Sequence, residues 1–161
     1  MISPEAKSDA SIKVKFKILW KYYIFQSLLA GIALFILVII LGKDKMVVTS
    51  AMGATAFIVF AMPKAVSAQT RNVIGGHLVC LAIGSLFYYI YMPYYIEYPL
   101  VVGIAVFVMV ALDFEHPPAA GTALAVVINE VSLNVFATIM IGAVVLSQCR
   151  YYLRDHLRDL V

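Results

Sequence analysis

Charge is the scarcest commodity in this chain. Only 13% of its 161 residues are charged, while 63% are hydrophobic. Soluble domains carry about 25% charged residues, spread as a solvated shell. Here the charges stand in patches separated by long uncharged runs, which excludes an ordinary water-soluble fold. Cysteine is nearly absent too: Cys80 and Cys149 both lie in apolar runs, so no disulfide framework is implied and both read as small hydrophobes. The sequence has no HExxH, no GxSxG, no phosphate loop and no pair of carboxylates within an apolar run. No enzymatic activity and no cofactor are therefore expected. His77 and His116 lack a third ligand at usable spacing, so no metal site is expected either.

What is present is apolar sequence in lengths that match a bilayer. About 20 residues at roughly 1.5 Å each cover a hydrocarbon core of roughly 30 Å. Residues 22–42, 72–96 and 131–149 are free of formal charge and long enough to span. Residues 46–63, 98–112 and 117–129 are shorter apolar runs. A soluble helical core is the alternative for such runs, but no polar face remains to meet water. The expected fold is therefore all-α, a polytopic membrane bundle of six hydrophobic segments. Four full spans with two re-entrant middle segments is the other arrangement.

The net charge of +3 does not point to nucleic acid. Lys7, Lys13, Lys15, Lys17 and Lys21 precede the first run, and Arg150, Arg154 and Arg158 follow the last. Flanking cations of this kind are held on the cytoplasmic side. With no transit or signal-cleavage pattern, the expected location is a plasma membrane, a prokaryotic inner membrane, with both termini cytoplasmic. Residues 1–20 form a basic lead that lies along the surface before turning in. Residues 21–155 form the membrane domain, and 156–161 a cytoplasmic tail. Trp20, Tyr22 and Tyr23 mark one interface, and the tyrosine-rich stretch 88–98 the other.

The run Leu28–Ile40 (LLAGIALFILVII) aligns with Leu100–Leu112 (LVVGIAVFVMVAL), pairing Gly31 with Gly103 and Phe35 with Phe107. After a connector five residues shorter in the second copy, Ala54-Thr55-Ala56 falls on Gly121-Thr122-Ala123, and Ile74-Gly75 on Ile141-Gly142. Compositional coincidence is the bland explanation. A register held through successive helices favours duplication of a three-segment unit, about 22–92 and 98–153. A unit with three crossings must place its copy upside down, the arrangement of many transporters.

Glu115-His116-Pro117-Pro118 opens the second middle segment. Proline suits the first helical turn, and the residue before it is driven to extended geometry. His116 is thus expected at the cap of a helix running to about Asn129. Thirteen residues rise about 20 Å, less than a hydrocarbon core, so one end must be recessed. The first middle helix is expected to start at Thr49-Ser50. Helix N-termini attract anions, and two such ends near the midplane would cradle a small one around Ser50–Gly53 and after Pro118. A sharpened turn is the plain alternative. Arg71, beside the candidate N-cap Asn72, is either an anion-steering group at a mouth or a simple positive-inside anchor. His77, one turn into its run, is a functional candidate as an ionisable intramembrane residue, or a neutral histidine bonded to a carbonyl. Thr55, Gly121 and Thr122 complete the candidate lining. Gly31, Gly76 and Gly103 offer small faces for packing within or between subunits, so a homo-oligomer is possible.

Three stretches resemble the HPP family of integral membrane proteins, named for the His-Pro-Pro triplet: GATAFIVFAMP, SAQTRNVIGGH (Ser67–His77) and HPPAAGTAL (His116–Leu124). The resemblance covers roughly residues 20–150. It implies a transport-type membrane protein, with plant plastid and cyanobacterial relatives assigned to nitrite transport, and usually four spans. Its motif residues fall on Gly53, Gln69, Arg71, Asn72, Gly75, Gly76, His77, His116, Pro117, Pro118, Gly121 and Thr122. Thr70 stands where many relatives have proline. The expected partners are thus the lipid bilayer and a small, nitrite-like anion.

Overall fold

A computed structural model describes residues 4–41, 46–129 and 132–161. Its described residues form six α-helices and one short 3-10 turn: α1 (Pro4–Leu41), α2 (Met46–Ala61), the turn Val66–Ala68, α3 (Thr70–Tyr88), α4 (Tyr94–Ala111), α5 (Pro117–Asn129) and α6 (Leu133–Leu153). There is no strand among them, and the all-helical bundle is as the composition requires.

Among the described residues, four helices are long and apolar enough to cross a membrane: α1 over Val14–Ile40, α3, α4 and α6. The helices α2 and α5 are shorter, roughly 24 and 20 Å at about 1.5 Å per residue. The apolar run 72–96 is not one span. It breaks at residues 89–93, where Pro93 caps α4 in an extended conformation, so the following helix gains the length to cross. The basic lead also differs from expectation, because α1 runs unbroken from Pro4 and does not turn at its junction with the span.

Contacts between the helices give their directions. Gln26 on α1 bonds Phe60 on α2 and Leu34 meets Gly53, so α1 and α2 are antiparallel. Ala51 meets Gly121 while Thr55 meets His116, so α2 and α5 are antiparallel too. Gly76 meets Ala119 and Gly84 meets Ala123, so α3 and α5 run parallel. Cys80 meets Met109 across the antiparallel pair α3 and α4. Leu37 meets Gly142, and α6 descends beside α1. Successive helices therefore alternate in direction.

The core is built from small and β-branched side chains. Ala119, Ala123, Val126 and Cys80 are buried between α3 and α5, where Gly76 and Gly84 leave no room even for a methyl group: a Cβ at Gly84 would lie 2.5 Å from the Ala123 carbonyl oxygen. Large apolar side chains point outward instead. Ile32, Phe35, Ile36 and Ile39 on α1 and Val106, Phe107 and Val110 on α4 are exposed. Such a belt is unstable in water and natural in lipid.

The residues after α6 are not a free tail. His156 and Leu157 turn back on Leu153, Leu157 is buried, and the Leu160 N–H donates to the Ala61 carbonyl at 2.9 Å. The buried Gln26 side chain donates to the carbonyls of Phe60 and Arg158 and accepts from the Arg158 N–H at 3.1 Å. One polar side chain in α1 thereby satisfies the open end of α2 and fixes the chain terminus. A cleft of about 240 Å³ lies beside it, lined by Tyr23, Phe57, Phe60 and Leu160 among others.

Candidate functional site

The helix α4 ends in a turn that aims the next residues at α3. Asp113 takes the left-handed conformation (φ 57°), and the Phe114 N–H reaches back to the Met109 carbonyl at 2.9 Å. That six-to-one bond closes a helix C-terminus, and aspartate is among the few side chains that tolerate the conformation. Phe114 then lies against Gly75, and the His116 Cβ lies against Gly76, both too close for any side chain at those glycines. The Gly75-Gly76 pair is what lets His116 reach the bundle interior.

Inside, four side chains from three helices and the loop join. The Thr55 Oγ1 lies 3.0 Å from Nε2 of His77 and 3.0 Å from Nε2 of His116. The His77 Nδ1 lies 2.8 Å from Oγ1 of Thr122. The His116 Nδ1 lies 2.7 Å from the Ser67 carbonyl oxygen. The two imidazoles are 5.1 Å apart. All four side chains are fully buried, and no buried side-chain polar atom among the described residues lacks a partner. Thr55 and Thr122, paired by the internal alignment, grip the two nitrogens of one histidine.

The other sequence candidates lie differently. The helix α2 begins at Met46 rather than at Thr49-Ser50, so Ser50 to Gly53 sit inside the helix, where amides bond carbonyls four residues back. Ser50 is exposed, and Gly53 faces Leu34. At the start of α5, Pro117 and Pro118 have no N–H, and the Ala119 N–H donates to the His116 carbonyl at 2.9 Å. The amide cradle drawn from sequence thus has its donors committed at both ends. Gly121 provides close approach to Ala51.

Asn72 is not the N-cap of α3. That position is Gln69, and Asn72 is a buried first-turn residue whose Nδ2 donates to the Val66 carbonyl at 3.1 Å. Arg71 is bound to Asp113 at 2.7 Å and covers the Phe114 ring at 5.0 Å. Its charge is paired at the surface, and it clasps the very turn that positions His116. Thr70 occupies the first position of α3, where proline would also fit.

Two participants escaped the sequence reading. Ser67 acts through its carbonyl, which no side-chain pattern signals. Gln26 was legible as a lone amide in an apolar run. Among the described residues, no group of three or more His, Cys, Asp or Glu side chains is placed to hold a metal ion.

No solved structure matches the chain. A transmembrane protein of Dictyostelium discoideum is 31% identical over 88 residues, covering 52% of this chain and 31% of the relative. The chain thus spans about a third of the length of that curated relative. The family model described as "HPP, transmembrane region" matches residues 15–154, a stretch that contains the His116-Pro117-Pro118 turn and every residue joined in the buried cluster. The chain belongs to the HPP transmembrane family.

Proposed function

We propose that this protein transports a small monovalent anion of nitrite-like size, and that Thr55, His77, His116 and Thr122 are its polar contacts in the membrane interior. The observation that carries the reading is the hydrogen-bonded cluster itself. Two imidazoles and two hydroxyls are held in an apolar bundle where polar groups are costly and ionisable residues are functional by default. The committed amides at Ser50–Gly53 and after Pro118 move the coordination from backbone to side chains.

The helix arrangement supports an inverted duplication. Exchanging α1, α2 and α3 for α4, α5 and α6 maps the principal neighbour pairs onto one another: α1–α2 onto α4–α5, α3–α5 onto α6–α2, and α3–α4 onto α6–α1. The exchange also reverses direction. Transport by such repeats commonly uses sites at their interface, and the cluster bridges α2, α3 and α5. With the positive flanks inside, both termini are cytoplasmic.

The test is nitrite flux into proteoliposomes, with chloride and nitrate as competitors. Saturable flux lost on His77→Gln or His116→Gln is the expected outcome, and flux equal to that of protein-free vesicles refutes the reading. One observation favours a second solute class: Arg71 is paired with Asp113, so its charge is not free to steer an anion. Passage of a neutral solute would leave the reversal potential unmoved in a salt gradient, whereas passage of a bare anion shifts it.

A further inference from the structure

The cluster's hydrogen atoms can be counted. A carbonyl only accepts, so His116 carries its proton on Nδ1, facing Ser67. If that ring is neutral, its Nε2 accepts, and the donor is the Thr55 hydroxyl. Thr55 has one hydrogen, so His77 must donate to it from Nε2. The Nδ1 of a neutral His77 then accepts from the Thr122 hydroxyl. A single assignment satisfies every contact along the chain from Thr122 to Ser67: Thr122 to His77, His77 to Thr55, Thr55 to His116, His116 to Ser67.

One further proton fits at one junction. The Thr55 Oγ1 also lies 3.0 Å from the Ala51 carbonyl oxygen, which accepts the helical N–H of Thr55 and keeps a second lone pair open to the hydroxyl. A proton from water bonding to Nε2 of His116 makes that ring an imidazolium. The Thr55 hydroxyl hydrogen swings to Ala51, and its oxygen accepts from both imidazoles. No heavy atom moves and no contact is lost. Thr122 has no second acceptor among the contacts described, so a proton on Nδ1 of His77 would strand the Thr122 hydrogen.

We infer that the Thr55–His116 junction binds one proton, and that this proton is carried together with the anion. The inference rests on the transport reading above. An imidazolium in a dry core is costly without a counter-charge. The surrounding elements supply none. The helices α2 and α5 carry no titratable side chain. On α3, Cys80 is buried against Met109, Arg71 is at the surface and Tyr88 is the last residue, at the opposite end from Arg71. In the adjoining loop, Asp113 is bound to Arg71 and Glu115 is exposed. Lys64, in the connector before Ser67, is exposed. On α6, Arg150 donates to the Pro63 carbonyl, and Cys149, Tyr151 and Tyr152 lie with it in the last turns. On α4, Glu97 and the tyrosines lie in the first turns, at the end away from Asp113. The substrate anion is then the counter-charge. By linkage, proton and anion each raise the other's affinity by the same factor. The cargo is a weak acid's conjugate base plus its proton, and the transfer is electroneutral.

The full chain in proteoliposomes tests this with nitrite as probe, the potential clamped by a potassium ionophore, and protein-free vesicles as the baseline for passive acid leak. One proton per anion predicts about tenfold accumulation per unit of pH gradient at zero potential. A potential of either sign at equal pH should have no effect. Saturable flux that follows the potential and ignores the pH gradient overturns the coupling while leaving anion transport standing. Absence of saturable anion flux overturns the transport reading and the inference with it. Thr55→Ser, which keeps the swinging hydroxyl, should retain coupling, and coupling that survives in Thr55→Val refutes the junction. As a measurement independent of any variant, nitrogen NMR of labelled histidine should find Nε2–H on His77 and Nδ1–H on His116 at neutral pH. It should show His116 protonating at higher pH with nitrite present. Reversed tautomers, or a His116 titration indifferent to nitrite, defeat the proposal.

Discussion

Gly84→Ala is the most informative single change in the packing. The added Cβ would sit 2.5 Å from the Ala123 carbonyl oxygen, 2.9 Å from the Val126 Cβ and 3.1 Å from the Ala123 Cα. Two of these neighbours are backbone, so no side chain can swing aside. Restoring ordinary contact requires α3 and α5 to part by about 1 Å, and overpacking of this kind costs about 1–3 kcal/mol. Alanine's better helix propensity returns about 1 kcal/mol, leaving a net loss of up to about 2 kcal/mol. For a chain of this size that lowers Tm by up to about 8 °C, at about 2–4 °C per kcal/mol. The displacement also stretches the 2.8 Å bond between Thr122 and His77 beyond hydrogen-bond range. The assay is thermal unfolding in detergent beside flux in vesicles. Gly31→Ala and Gly103→Ala are the controls, because a Cβ at either meets nothing within 4 Å. They should hold or raise Tm. If Gly84→Ala is as stable as these, the α3–α5 contact is not as tight as the geometry requires and the reasoning fails.

Three other predictions follow from single contacts. In a double-mutant cycle, Arg71→Ala and Asp113→Asn should couple by less than about 1 kcal/mol, since both partners are exposed; stronger coupling would show that the pair is screened from water. Gln26→Leu leaves the Arg158 N–H and the Phe60 and Arg158 carbonyls without their partner. It should cost about 1–3 kcal/mol and expose residues 155–161 to proteolysis, so a tail cleaved no faster than in the unsubstituted chain would refute the docking. Thr55→Val orphans a nitrogen on each histidine, whereas Thr122→Val orphans one. Its loss of Tm should be about twice as large at about 1–3 kcal/mol per orphaned group, and equal losses would contradict the hydrogen assignment.

The sequence made the membrane class plain, because nothing else accommodates so few charges and so many outward apolar side chains. It also located α5 from end to end, since Pro117 starts a helix and a charge-free run of fixed length follows. It failed where backbone decides. The break between α3 and α4 lies in an apolar, tyrosine-rich run, where hydropathy is blind to a turn. The early start of α2 moved Ser50 and Gly53 away from any helix end. Both histidines and both threonines were on the page as candidates. Their union was not, because it depends on a left-handed Asp113 and on glycines at positions 75 and 76, whose close approach only coordinates reveal.

A fully buried cluster must open for any solute to reach it, and the packing indicates where. The helices α3 and α5 interlock through Gly84 against Ala123 and Val126, contacts that a methyl group would break. Between α2 and α5 the fit is looser, with the Ala51 Cβ 3.4 Å from where a Cβ on Gly121 would stand. Thr55 bonds α2 to the cluster through two hydrogen bonds, together worth about 1–3 kcal/mol net, little enough for a transport cycle to break and remake. On this argument α3 and α5 move as one body and α2 parts from them. A disulfide needs Cβ atoms about 3.5–4.5 Å apart, so Ala51→Cys with Gly121→Cys, in a Cys149→Ser background, should cross-link with little distortion. Oxidation should then abolish flux and reduction restore it. Full flux through the oxidised, cross-linked protein would mean that α2 and α5 stay together throughout the cycle and that the opening lies elsewhere.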